Sequence, residues 1–355
     1  MPPHGFDAQG WDMTDSAAPA IKTRRVWPAE LNALIGLIII AVIFEALAWI
    51  VRERTFLGNP QILRIMILQV AVVGIIAIGV TQVIITGGID LSSGSIVGAT
   101  AIIATSFAQM STRNGQDFTN AVFWAQGWVD LSLIVPLVVG LCLGLLAGII
   151  NGALVAYAKI PPFIATLGMM LSARGVSNWW TRGEAVSNPT ESFIALGQGL
   201  TPVYIFAGLA ILFQLILSYT LYGKRTYAIG SNAAAARMSG INVERHLLLV
   251  YAIAGMLASI AGIVAASRQL TAQAGMGVMY ELDAIAMAVI GGVSLVGGRG
   301  SIIGTFLGML IFGIIISGFT FLRVDAYYQE MIKGAIIVFA VMADVWRQKR
   351  RAMGG

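Results

Sequence analysis

IIGTFLGMLIFGIIISGFTFL, residues Ile302–Leu322, runs the length of a membrane span without one charged side chain. At 1.5 Å per helical residue it measures about 31 Å, the thickness of a bilayer's hydrocarbon core. Comparable apolar runs lie at Leu31–Val51, Ile62–Ile85, Leu131–Tyr157, Pro202–Leu221 and Leu247–Ala266. The whole chain follows this pattern. Of 355 residues, 57% are hydrophobic and 11% charged, against about 25% charged in an average soluble domain. Its 22 Lys and Arg and 17 Asp and Glu are too few to clothe a soluble protein of this size. The expected fold class is all-α: a polytopic membrane protein of about ten transmembrane helices with two glycine-rich helix breaks.

Basic residues set the expected orientation, because cytoplasmic loops retain Lys and Arg. Lys22, Arg24 and Arg25 flank the first segment, and Arg347, Lys349, Arg350 and Arg351 follow the last. Both termini are therefore expected in the cytoplasm, which needs an even number of crossings. The trace is 31–51, 62–86, 95–110, 131–157, 162–180, 202–221, 247–267, 284–297, 302–322 and 329–346. It divides the chain into a disordered cytoplasmic tail (1–30), a transmembrane domain (31–346) and a basic cytoplasmic tail (347–355). Residues 1–30 are polar and carry Asp7, Asp12 and Asp15, so no cleavable signal peptide is expected. The net charge of +5 is accounted for by cytoplasmic loops facing lipid and water, and no nucleic-acid partner is expected.

Two of these segments, 95–110 and 284–297, are short, and each adjoins a glycine-rich stretch. TGGIDLSSGSIVG (Thr86–Gly98) and IGGVSLVGGRGSIIG (Ile290–Gly304) share a Gly-Gly pair, a Leu, and Gly-Ser-Ile-(Val/Ile)-Gly. The pair looks like a diverged internal repeat. Glycine-interrupted segments in two halves of a chain point to a transport site, since backbone leaving a helix at membrane depth must be buried in protein or line a cavity. The other reading is a pair of tight turns between helices. A further pattern, Gly140, Gly144, Gly148 and Gly152, puts four glycines on one helix face and predicts close helix–helix packing.

Several chemistries are missing. The only histidines are His4 in the tail and His246, read as a loop residue, so no histidine-based catalytic or metal site is expected in the membrane. Cys142 stands alone, so the chain has no internal disulfide or thiolate cluster. The sequence holds no GxxxxGK(S/T) phosphate loop, no HExxH pair and no GxSxG elbow. The chain is thus expected to be no enzyme and to carry no cofactor or metal. Any energy for transport would come from an ion gradient or another subunit. Glu45 reads as the only acidic residue well inside a helix, and without an evident partner.

The longest polar loop is 222–246, YGKRTYAIGSNAAAARMSGINVERH, and Lys224, Arg225, Arg237 and Arg245 place it in the cytoplasm. Ser231 and Asn232 suit an N-cap, Ala233–Met238 favours helix, and Gly240 suits the residue after a C-cap. A short helix of about two turns is expected, either a solvated connector or a surface for another protein.

This loop resembles the cytoplasmic coupling loop of the ribose, xylose, galactose, fructose and inositol class of ATP-binding-cassette (ABC) importer permeases. The family pattern G-x-N-x-x-A-A-R-x-S-G-I is met by Gly230, Asn232, Ala235, Ala236, Arg237, Ser239, Gly240 and Ile241. Four further stretches resemble family motifs in the same order: TGGIDLSSGS; Asn151-Gly152; Ile160-Pro161-Pro162-Phe163 with Thr166-Leu167-Gly168; and the Gly-Gly-Arg-Gly-Ser run. Departures occur at Ala233 and Ala234, where acidic or polar residues are common, and at Ser93, where apolar ones are. The resemblance implies the inner-membrane permease subunit of a bacterial importer for a monosaccharide or related polyol. It also implies two permease chains, identical or homologous, separate cytoplasmic ATPase subunits that hydrolyse ATP, and a periplasmic sugar-binding protein. Thr81, Gln82, Asp90, Ser92, Ser93, Asn151 and Thr166 are the expected weakly polar lining of the path. The alternatives are an ABC permease for a branched-chain amino acid or nucleoside, and an ion-coupled secondary transporter.

Overall fold

The computed structural model describes residues 29–353, so the expected tail at 1–30 lies almost wholly outside the described residues. Among these residues, thirteen α-helices carry the fold: α1 (Ala29–Arg52), α2 (Pro60–Ile85), α3 (Ser93–Ser106), α4 (Ile134–Ala156), α5 (Pro162–Thr181), α6 (Glu191–Ile194), α7 (Thr201–Tyr219), α8 (Leu221–Ser231), α9 (Ala233–Met238), α10 (Val243–Gln269), α11 (Tyr280–Ile290), α12 (Ile302–Phe321) and α13 (Ala326–Met353). Strand structure among the described residues is limited to two antiparallel pairs of two-residue strands, 112–113 with 116–117 and 186–187 with 271–272. This is a polytopic all-α membrane protein.

Six helices among the described residues, α1, α2, α4, α7, α10 and α12, are long and apolar enough to cross a bilayer. α5 and α13 have the length, at 20 and 28 residues, but more polar sequences. α13 continues to Met353, so most of the basic segment expected as a separate tail at 347–355 is the last part of a helix.

Local chemistry sets the helix ends. Asn59 caps α2 by accepting from the N–H groups of Gln61 and Ile62, with Pro60 at the first helical position. α2 stops at the Gly-Gly pair, where Gly87 takes a φ of +84°. The second pair ends α11 in the same way, with Gly292 at φ +94°, and Ser301 then caps α12 by accepting from the Gly304 N–H at 3.0 Å.

α2, α3, α10 and α12 make the centre, and every residue of α3 is buried. The glycine face of α4 packs antiparallel on α10: Gly144 against Gly255, Gly148 against Tyr251 and Ala252, Gly152 against Leu248. Even a methyl group at these positions would collide with backbone, so close approach requires glycine here.

The two short helices differ from their expected bounds. The segment placed at 95–110 is the 14-residue α3, and the segment placed at 284–297 is the 11-residue α11, ending where 291 begins the break. At 1.5 Å per residue they span about 21 Å and about 16 Å, each short of the bilayer core. The starts of α3 and α11 meet, Gly94 lying against Gly277 and Glu281. The remainder of each crossing is not helical: 87–92 is mostly buried, whereas 271–279 is largely turn and sets buried Ala272, Ala274, Met276 and Gly277 beside exposed Gln273, Gly275, Val278 and Met279. Irregular backbone at this depth has to be covered by protein or line a cavity.

Three expectations about single residues are corrected. Glu281 and Asp283 lie on α11 and are buried, so Glu45 is not the only helical acid. An N-terminal turn tolerates carboxylates through the helix dipole, and the shifted helix start hid them. Glu45 does have partners: its carboxylate accepts from Thr55 Oγ1 at 2.6 Å, Trp49 Nε1 at 3.1 Å, and the N–H groups of Phe56 and Leu57. It ties the end of α1 to the following turn. His246 lies on α10, buried, with Nε2 2.8 Å from Thr226 Oγ1.

Candidate functional site

The 222–246 segment folds as two helices and the start of a third. Asn232 ends α8 and caps α9, its Oδ1 accepting from the Ala235 N–H at 3.0 Å. Gly240 follows α9 at φ +82°, the left-handed region that favours glycine. The Ile241 N–H then returns to the Ala236 carbonyl at 3.1 Å. Only Ala236 of α9 is buried, against Ile229 and Val243. Ala233, Ala234, Ala235, Arg237 and Met238 are exposed, Met238 at 85%. Arg237 is engaged within the chain: its Nη2 lies 2.6 Å from Glu244 Oε1, which also meets Lys159 Nζ at 2.9 Å.

α8 leads from this exposed helix straight to both breaks. Gly230 lies against the Ile85 carbonyl and the Gly298 N–H, and that N–H donates to the same Ile85 carbonyl at 2.8 Å. Gly297 sits on the backbone of Gly87 and Gly230. Tyr227 of α8 donates to the Gly300 carbonyl at 2.8 Å. The two repeat-like stretches and the loop thus share one contact made of backbone. A cavity of about 270 Å³, lined by Ser231, Ser294, Gly297, Gly298 and Arg299 among others, opens beside it.

The seven polar residues expected along a path are all buried, at 1% exposure or less. Five surround the first break. Asp90 Oδ1 accepts from the Ser92 N–H at 2.8 Å and Ser92 Oγ at 2.6 Å. Asn151 of α4 donates to Ser92 Oγ at 2.8 Å, and Thr166 of α5 donates to the Ile89 carbonyl at 3.3 Å and the Pro162 carbonyl at 2.8 Å. Ser93 opens α3 with its hydroxyl unpartnered. Thr81 and Gln82 lie apart from this group on α2. Thr81 meets Thr305 of α12 at 2.7 Å, and Gln82 accepts from Tyr222 of α8 at 2.7 Å. In this conformation Thr81, Gln82, Ser92, Asn151 and Thr166 join elements to one another.

Sequence reasoning passed over Glu281, Arg174 and Tyr251. Glu281 Oε2 and Tyr251 OH are buried without partners, as is Asn151 Oδ1. Arg174 of α5 donates to the Ala274 carbonyl and, at 3.0 Å, to the Met276 carbonyl. A Glu-x-Asp pair directly before an apolar run was the available signal.

Residues 61–341 match the family described as branched-chain amino acid transport system / permease component. The chain is 36% identical over 333 residues to the ribose import permease protein RbsC of Escherichia coli K12, covering 91% of this chain and 96% of that protein. It is 36% identical over 328 residues to the galactose/methyl galactoside import permease protein MglC of the same strain, covering 89% and 95%. Identity to RbsC of Bacillus subtilis 168 is 38% over 322 residues, covering 89% and 92%. No solved structure gives a significant match.

Proposed function

The chain belongs to the branched-chain amino acid transport system / permease component family, and from that premise we propose that it is the permease subunit of an ABC importer for a monosaccharide or related polyol. It is a transport protein, not an enzyme. The substrate class rests on relatives named for ribose and galactose import. The permease works with separate ATPase subunits, which hydrolyse ATP, and with a periplasmic sugar-binding protein. A second permease chain completes the path. It resides in the bacterial inner membrane with both termini in the cytoplasm and crosses ten times, α3 and α11 each supplying the helical half of one crossing.

One observation carries the mechanism: the exposed α9 is joined through Gly230 to the backbone of both breaks. The small side chains of Ala233, Ala234 and Ala235 let another protein approach α9 closely, and Met238 offers it an apolar contact. Displacement of α9 by an ATPase then reaches Ile85, Gly297 and Gly298 without passing through a flexible linker. Shifting the breaks moves Asp90, Ser92 and Asn151 relative to one another, which opens or closes the polar path.

The test is the complete importer in proteoliposomes with loaded binding protein. Ala235→Trp should leave the permease folded but abolish ATPase-subunit binding or the stimulation of hydrolysis. Wild-type uptake of ribose or galactose that requires ATP is expected. Uptake driven by an ion gradient without ATP overturns the reading, and uptake of leucine but no sugar overturns the substrate class.

A further inference from the structure

We propose that Glu281 and Ser93 form a mid-membrane station that accepts sugar hydroxyls where the N-termini of α3 and α11 meet. This rests on the permease reading and adds to it a specific contact. α11 runs 11 residues from Tyr280 to the second break, so Glu281 lies about 15 Å from the end of the bundle that carries the loop, half the hydrocarbon thickness. The α3 start comes to the same depth, because Gly94 leaves just enough room for the Glu281 carboxylate.

Glu281 is 8% exposed, and its Oε2, directed at the first turn of α3, has no hydrogen-bond partner. Ser93 Oγ, next to Gly94, has none either. On the break side of α3, Asn151 Oδ1 and Tyr251 OH are also unpartnered, Tyr251 OH lying against Gly88. Leaving such groups unmet in a low-dielectric interior is costly, and their grouping points to a polar ligand.

The donor–acceptor set selects the ligand. Asn151 Oδ1, and Glu281 when ionised, accept only, while Ser93 and Tyr251 can donate or accept. A bare cation is disfavoured because Arg174 beside Glu281 and Lys333, 3.5 Å from Asp283, already offset those two carboxylates, and the positive end of α3 faces the same point. An anion is disfavoured by Glu281 itself. A neutral polyol fits both: its hydroxyls donate to Glu281 and accept from Ser93 or from first-turn N–H groups, which lack partners within a helix. Arg174 acts as a positioning residue. By holding the Ala274 and Met276 carbonyls it keeps 274–277 over the station, with Gln273, Gly275, Val278 and Met279 on the exposed side.

The experiment uses the whole importer in proteoliposomes, with radiolabelled ribose and galactose and their monodeoxy analogues. Uptake and binding-protein-stimulated ATP hydrolysis are read separately. Glu281→Gln should leave stimulated hydrolysis within about twofold but lower sugar uptake about 10-fold, the size of one hydrogen bond to a charged acceptor. For one deoxy analogue the variant should cost nothing, because the hydroxyl that Glu281 meets is gone. Ser93→Ala should repeat the pattern more weakly and covers the case in which Glu281→Gln fails to fold. Equal losses for every analogue would show a structural role and overturn the proposal. Unchanged uptake would overturn it while leaving the permease reading intact. Wild-type uptake that needs no ATP, and that loses its pH dependence in Glu281→Gln, would overturn both.

Discussion

The two glycine-rich breaks share a pattern and differ in outcome. After the first Gly-Gly pair the chain runs inward through Asp90, 1% exposed, and restarts as α3 at mid-depth. After the second it turns at the surface, keeps Arg299 exposed, and restarts at Ser301 as the 20-residue α12. In both, the pair ends a helix with a glycine at positive φ, and a Gly-Ser-Ile stretch opens the next helix. The glycines fix where the helix stops. The residues after each pair fix the depth: a short acidic stretch that Ser92 and Asn151 can satisfy with hydrogen bonds, or a cation that stays at the water boundary because burial would cost too much.

Overfilling the meeting point of α3 and α11 should have the largest effect. Gly94→Val would drive a side chain into Glu281 and Gly277, costing about 3 kcal/mol or more, and folded protein should nearly vanish from size-exclusion profiles in detergent. Normal yield would mean the two half-helices do not meet. Next comes Asp90→Leu, which leaves the Ser92 N–H and hydroxyl buried without an acceptor at about 1–3 kcal/mol. Asp90→Asn, which keeps an acceptor, should recover most of the lost melting temperature. A mid-sized loss is expected for Gly297→Ala, about 1 kcal/mol or more for a left-handed φ on top of its tight approach to Gly230 and Gly87. Arg299→Ala should be smaller still, within about 0.5 kcal/mol. If it instead matched Asp90→Leu, the contrast between a buried and a surface break would fail. The smallest effect belongs to Arg237→Ala, whose exposed pair with Glu244 should leave the melting temperature unchanged. A changed ATPase-stimulation rate with that same melting temperature would assign Arg237 to docking.

Much of this was legible in the sequence, for reasons that are local. Charge-free runs of membrane length made helices, Asn232 and Gly240 bounded α9 as their capping chemistry requires, and the glycine face of α4 found a close partner. Each depends on residues near one another in the chain, where hydrophobic length, hydrogen-bond capping and backbone freedom act. The partner of that glycine face, α10, was not legible, nor was the meeting of Gly230 with Ile85 and Gly298, nor the supports of Glu45 from the turn after α1. Glu281 was missed for the same reason: a carboxylate beside an apolar run reads as the edge of a span until another helix start, more than 180 residues away in sequence, is brought against it. The sequence by itself determined that the chain lives in a membrane, that two glycine-rich stretches interrupt its helices, and which loop stands exposed. Tertiary structure alone decided that two of the breaks lie back to back and that two helix starts face each other inside the bundle. Only packing sets the distance between groups far apart in the chain, and burial of polar atoms is a property of that packing.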